Sequence, residues 1–164
     1  GEGQNGDKNA FYLAPAYFEA KTGEKFTLDE SDGGCEIPNG FYLDKKISTN
    51  GISGSWGWYD MPLEVTQKSA EMQFGYWYYP LTYSITYELD GGTNDPDNPD
   101  SYTVLYGVRL KRPKKEGYLF AGWRIGDEQV KGINAGCDAS FSSTEELYEE
   151  LGRRLTGDVT VTAS

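Results

Sequence analysis

The stretch Ser84-Ile85-Thr86-Tyr87-Glu88-Leu89-Asp90-Gly91-Gly92 decides the class of fold. Ile85, Tyr87 and Leu89 alternate with Ser84, Thr86 and Glu88, the two-residue period of a strand with one apolar face. Asp90-Gly91-Gly92 then supplies backbone that tolerates positive φ, so the strand ends in a tight reversal. The same period returns at the end of the chain, where Val159, Val161 and Ala163 alternate with Thr160, Thr162 and Ser164. Between them, Tyr102, Val104, Tyr106, Val108 and Leu110 share a parity and predict a further strand. Gly117–Trp123 predicts another, with Tyr118 and Phe120 on one side and Leu119, Ala121 and Trp123 on the other. An apolar strand of this two-sided kind is central and covered on both faces. Trp123 reads as a core anchor. Gly126-Asp127 reads as a turn.

One helix is marked in this half. Ser143 and Glu146 fit a capping box. Leu147, Leu151 and Leu155 recur at i, i+4 and i+8 beside Tyr148. Acids crowd the start and Arg153 and Arg154 the end, as the helix dipole favours, with Glu149–Arg153 and Glu150–Arg154 at i,i+4. Gly157 is the expected stop, giving a helix of about 12 residues. Four strands and this helix make a small α+β core.

Upstream the reading is all-β. Phe11–Ala14 is a short strand limited by Pro15. Tyr17–Lys21 and Glu24–Leu28 around Thr22-Gly23 predict a hairpin. Asp29–Gly34 is a turn-rich loop, and Gly40–Leu43 with Ile47 predicts another strand. Two aromatic clusters follow, Trp56, Trp58 and Tyr59, then Phe74, Tyr76, Trp77, Tyr78 and Tyr79. About six short strands predict a small sandwich or barrel. Residues 10–80 and 83–164 thus read as two domains after a polar, flexible leader at 1–9, which has no apolar signal-like core. In that leader Gly1, Gly3 and Gly6 match a dinucleotide-binding spacing, but no strand precedes them.

Composition narrows the function. Among 164 residues there is no His, so neither a Ser-His-Asp triad nor a histidine metal site is available. The net charge of −11 opposes nucleic-acid binding. Both halves are acidic, with twelve acids against six bases up to residue 80 and fourteen against nine beyond it. Mean hydropathy is −0.65 and no long apolar run offers a transmembrane segment. An aromatic content of 15% separates the chain from disordered sequences. Paired carboxylates and the partial elbow Gly51-Ile52-Ser53-Gly54-Ser55 specify no pocket, so no enzyme activity is expected.

Candidate sites are weighed against plainer readings. Asp90, Asp95, Asp97, Asn98 and Asp100 offer hard oxygens, but without the spacing of a calcium loop they read as a solvated turn region. No metal or cofactor is expected. Lys111, Arg112, Lys114 and Lys115 can touch an anionic polymer, or keep a turn solvated. Cys35 and Cys137 either pair or stand apart. The aromatic clusters are the main candidates for binding. Trp56, Trp58, Tyr59, Trp77 and Tyr79 can form a stacking platform for sugar or an anchor for a protein, or can fill a core.

Three blocks together resemble a known family: Ile85–Asn94 (ITYELDGGTN), Gly117–Trp123 (GYLFAGW) with Pro113 four residues before it, and Gly157–Ala163 (GDVTVTA). They are similar to the Listeria–Bacteroides repeat, the internalin-type B-repeat, over about residues 83–163. Asp90 stands where the family commonly has Asn. The 126–156 stretch is longer than the usual spacer, and Ala163-Ser164 falls short of the family's terminal Lys-Trp. The resemblance implies a β-grasp, ubiquitin-like fold in a bacterial protein that is secreted or surface-attached, hence extracytoplasmic. It also implies a non-catalytic role in adhesion or protein–protein interaction, with a surface protein or glycan as partner. Residues 10–80 resemble no family.

Overall fold

A computed structural model describes residues 11–12, 16–17, 23, 25–26, 37–49, 55–64, 73–136 and 144–164. The fold is mostly β, with one helix among the described residues. The first strands are β1 (Phe11–Tyr12), β2 (Ala16–Tyr17), β3 (Lys25–Phe26), β4 (Phe41–Thr49), β5 (Gly57–Asp60), β6 (Leu63–Glu64) and β7 (Gln73–Pro80). Then come β8 (Tyr83–Glu88), β9 (Ser101–Tyr102), β10 (Val108–Arg109), β11 (Trp123–Ile125), β12 (Glu128–Val130), β13 (Gly132–Ile133), α1 (Thr144–Leu151) and β14 (Val159–Ala163). The chain divides into two compact units, Gly1–Pro80 and Leu81–Ser164. The expected leader, the Asp29–Gly34 loop, Cys35, Cys137 and the cap residue Ser143 lie outside the described residues.

In the first unit the aromatic run of β7 is the organising strand. Its neighbours are β4 on one side and β1 and β2 on the other, and β5 extends the sheet beyond β4, every pair antiparallel. Gly75, Tyr76, Trp77 and Tyr78 are buried in succession, so this strand is covered on both faces. Phe41 meets Tyr78 edge-to-face, with ring centroids 5.0 Å apart. The register slips between Leu43 and Ile47, where β4 carries extra residues against β7. Most of the hairpin expected around Thr22-Gly23 lies outside the described residues. β2 pairs with β7, and β3 pairs with β6.

The second unit holds a five-stranded sheet in the order β12-β11-β14-β8-β9. β14 runs parallel to β8, matching Val159 with Ile85 and Val161 with Tyr87, while the other neighbours are antiparallel. Ile85, Tyr102, Trp123, Ile133, Val159 and Val161 form the buried cluster. Trp123 meets Tyr87 and Phe120 edge-on, and its Nε1–H donates to the Lys111 carbonyl at 3.2 Å. The Tyr102 hydroxyl donates to the Gly157 carbonyl at 2.5 Å. Burial, reinforced by Tyr83 and Asp158, pushes that phenol up to about 12.

Three expectations need correction. The parity from Tyr102 to Leu110 is not one strand. β9 and β10 are separated because the Thr103 hydroxyl accepts from the amides of Leu105 and Tyr106, curling the chain. β10 then joins β13 in a separate ribbon, where a Cβ on Gly107 would lie 1.9 Å from the Asn134 carbonyl oxygen. Gly117–Trp123 is likewise not a buried strand, because only Trp123 reaches the sheet. The amides of Ala121 and Gly122 both donate to the Ser164 carbonyl, at 2.6 and 3.2 Å. Two residues opposing one make a bulge that turns the preceding chain away from the ladder. The helix is eight residues long, not twelve. It buries Leu147 and Leu151; Arg153 and Arg154, expected in its last turn, lie beyond its end and pair back to Glu149 and Glu150 at 2.7 and 2.9 Å. It ends before Gly152 and not at Gly157, which leaves Leu155 exposed beyond it.

The packing around Trp123 sets a first expectation. Trp123→Ala removes the largest buried ring of this unit and one of the two side-chain hydrogen bonds to the Lys111 carbonyl, costing about 3–5 kcal/mol. Amide-exchange protection in β14 falls by that margin, while protection in β7 is retained.

Candidate functional site

The five aromatics singled out from the sequence do not form one platform. Strand alternation and register put Trp58 and Trp77 on the same face of the first sheet, with ring centroids 5.6 Å apart and planes inclined by 37°. Tyr79 shares that face two residues along β7. Tyr59 lies on the opposite face, in register with Tyr76 through Ile47. Trp77 is only 6% exposed and presents no surface to a ligand. Trp58 and Tyr79 are half-buried. Trp56 precedes β5 and is 52% exposed. The sequence reading passed over Tyr42, which is 46% exposed and stacks on Tyr79 with centroids 5.7 Å apart and an interplanar angle of 28°. The Tyr79 hydroxyl donates to Asp44 Oδ2 at 3.3 Å, which fixes the ring. The signal for Tyr42 was its place beside Phe41, since neighbours on a strand face opposite ways.

A second site lies wholly in the other unit. It is a cleft of about 330 Å³ lined by Leu89, Asp90, Gly92, Pro113, Lys114, Lys115, Tyr118, Leu119, Phe120, Ala163 and Ser164. Local chemistry builds each wall. Asp90 and Gly91 take φ of 47° and 82°, and the Gly92 amide closes the turn on the Leu89 carbonyl at 2.9 Å. Reciprocal amide–carbonyl bonds between Thr93 and Lys114, 2.7 and 2.8 Å, draw the basic segment alongside. The Tyr118 amide donates to the Lys115 carbonyl, and the Ser164 bulge swings Tyr118 and Leu119 outward while Phe120 stays against the core. Tyr118 is therefore 69% exposed and Leu119 96%. The ring of Tyr118 is held by Lys115, whose Nζ lies 4.1 Å from its centroid and 2.8 Å from Asp90 Oδ2. Arg112 and Lys114 make no ion pair among the described residues. Tyr118 and Leu119 were missed as surface residues because their alternation ran on unbroken, Tyr118 with Phe120 and Leu119 with Ala121 and Trp123. The bracketing Gly117 and Gly122 were the signal for a loop.

The acidic loop is spent on structure. Asn98 is buried; its Nδ2 donates to Asn94 Oδ1 and to the Lys111 carbonyl, and its Oδ1 accepts the Lys111 amide at 2.7 Å. Asp97 pairs with Lys111 Nζ. Among the described residues no group of three His, Cys, Asp or Glu is gathered to hold a metal. No described helix is long and apolar enough to cross a membrane.

Against known proteins, no family model matches the chain, and no curated protein or solved structure matches it either.

Three carboxyls of the second unit set a pH dependence. The hydrogen bond from Lys115 holds the Asp90 carboxyl below its usual range, Lys111 does the same for Asp97, and the Ser84 amide does so for Asp158. Carboxyls depressed in the folded state bind fewer protons than in the unfolded chain. Their stabilisation is present above about pH 4 and is lost as pH falls through the folded values. The urea midpoint of the second unit, followed by β14 amide signals, falls below pH 4. Replacement of all three by Asn reduces that fall.

Proposed function

We propose that the chain is a non-catalytic binding module of a secreted or surface-attached bacterial protein, supporting adhesion through contact with another protein. The observation that carries this reading is the exposure of Tyr118 and Leu119 at the lip of the cleft. Leucine exposed to this extent beside an apolar hollow gains nothing in the free chain and gains burial on contact. Tyr118 is pre-oriented by Lys115, so little side-chain freedom is lost when a partner covers it. Lys114 at the rim suits a partner that presents an acidic group next to an apolar one.

The resemblance of residues 83–163 to B-repeats agrees with this role. In support of a β-grasp-like second domain, the first and last strands of the unit, β8 and β14, lie parallel and adjacent in mid-sheet. The presence of a β3–β6 pair separate from the larger sheet supports a sandwich-like first domain.

A second reading, carbohydrate binding by the first unit, is favoured by the stacked Tyr42–Tyr79 pair and by exposed Trp56. It loses Trp77 as a contact residue and keeps Trp58 only at an edge.

The two readings separate by mutation. The double change Tyr118→Ala and Leu119→Ser, on surface residues, leaves the fold intact. It weakens capture of a partner from cell-wall or host-surface extracts at least tenfold, about 1.4 kcal/mol. Equal capture by both proteins would overturn the cleft reading. Binding on a glycan array that is lost in Trp56→Ala or Tyr42→Ala would favour the carbohydrate reading instead.

A further inference from the structure

We infer that the second unit is a mechanical clamp, built to resist tension applied between its two ends. The unit enters the sheet on β8 and leaves it on β14, and these two strands are parallel neighbours. The start of β8 and the end of β14 therefore lie at opposite ends of one ladder. Tension along the chain slides the strands past each other, and the ladder bonds from Ile85–Val159 to Glu88–Thr162 must fail together. In an antiparallel hairpin pulled at its open end, bonds fail one after another. Parallel ladder bonds are slightly weaker individually, so the resistance comes from geometry.

Other features reinforce this seam. Both strands are interior, with β9 beyond β8 and β11 beyond β14. Each end is tied across the seam by a side chain. The Ser84 amide donates to Asp158 Oδ1 at 2.8 Å, and Thr162 Oγ1 donates to Glu88 Oε2 at 3.0 Å. The last residue of the unit is tied again, because the Ser164 amide donates to the Gly122 carbonyl and its carbonyl accepts from Ala121 and Gly122. Beneath the ladder Ile85, Val159 and Val161 are buried, so water does not readily replace a strained bond. The inference rests on the reading of the chain as part of a surface-attached protein, since only a tethered chain meets tension.

Single-molecule pulling of the full chain tests it in two geometries. In the first, handles are attached at the two ends of the chain, and an insertion of about 20 Gly and Ser residues at the exposed Gly126-Asp127 turn marks the second unit by about 70 Å of added extension. In the second, the C-terminal handle is moved to an azide-bearing side chain at position 127, so that tension enters through the β11–β12 turn and no longer along β14. The expected result is an unfolding force for the second unit at least twofold higher in the end-to-end geometry. Equal forces, or a higher force through the turn, would overturn the clamp. The measurement needs no partner, so failure of the Tyr118–Leu119 docking reading leaves its outcome unchanged, and failure of the clamp leaves partner capture unchanged.

Discussion

The parallel pairing of β14 with β8 is the constraint on which the second unit depends. It joins residues 74 positions apart, as the Ser84–Asp158 and Glu88–Thr162 bonds mark. Everything between must leave the sheet and return so that Val159 meets Ile85 in register. A slip of one residue would turn Val159 and Val161 outward and bring Thr160 and Thr162 into the core. The buried cluster therefore fixes the register, and the register fixes the cluster. Such long-range contacts cost loop-closure entropy before they return any burial, so the unit belongs with slowly folding topologies.

The other features of the unit follow from this pairing. Because Ser164, the residue after β14, bonds to Gly122, the bulge at Ala121 and Gly122 falls at the margin of the sheet. The bulge ejects Tyr118 and Leu119, and the ejected loop forms one wall of the cleft. The opposite wall is the turn that ends β8. Seam and cleft are thus made by the same two strands, one along their length and the other at their end. The basic segment is fastened to this frame at Thr93 and Asn98, which leaves Arg112 and Lys114 to solvent.

The sequence was legible where a local period met a local stop. The faces of β8 and β14, the Asp90-Gly91 turn, the Gly126-Asp127 turn and the i,i+4 pairs at the end of α1 all depend on neighbours within a few residues. It misled where a distant group takes over a backbone bond. Nothing near Ala121 announces that Ser164 will accept its amide, and the even parity from Tyr102 to Leu110 hides the single hydroxyl of Thr103 that breaks it. In the first unit the pairings of β2 and β3 seen among the described residues carry no local sequence signal. The partner strands, β7 and β6, lie about forty residues or more away. Of the candidate site, the types of residue were legible and their exposure was not. Trp77 and Tyr79 share a parity on β7, yet one is buried and the other half-open, a difference set by what covers each point of the sheet.

Asn98 shows how the acidic character of the protein is reconciled with a basic strip. The loop that carries Asp95, Asp97 and Asp100 invites a cation, and the cation it receives is the lysine of its own chain. Asn98 holds the Lys111 backbone by both its amide and its carbonyl, and Asp97 takes the Lys111 ammonium. The Lys111 carbonyl also accepts Trp123 Nε1, so the acidic loop, the basic strip and the core tryptophan meet at one peptide group. The Asp97 ion pair is exposed, and pairs of that kind contribute little. The buried amide of Asn98 makes bonds that water cannot readily replace, and it is the stronger fastening. Charge in this unit is arranged by hydrogen bonds to the backbone, so the acidic loop can lose ionisation at low pH and still keep the basic strip in place.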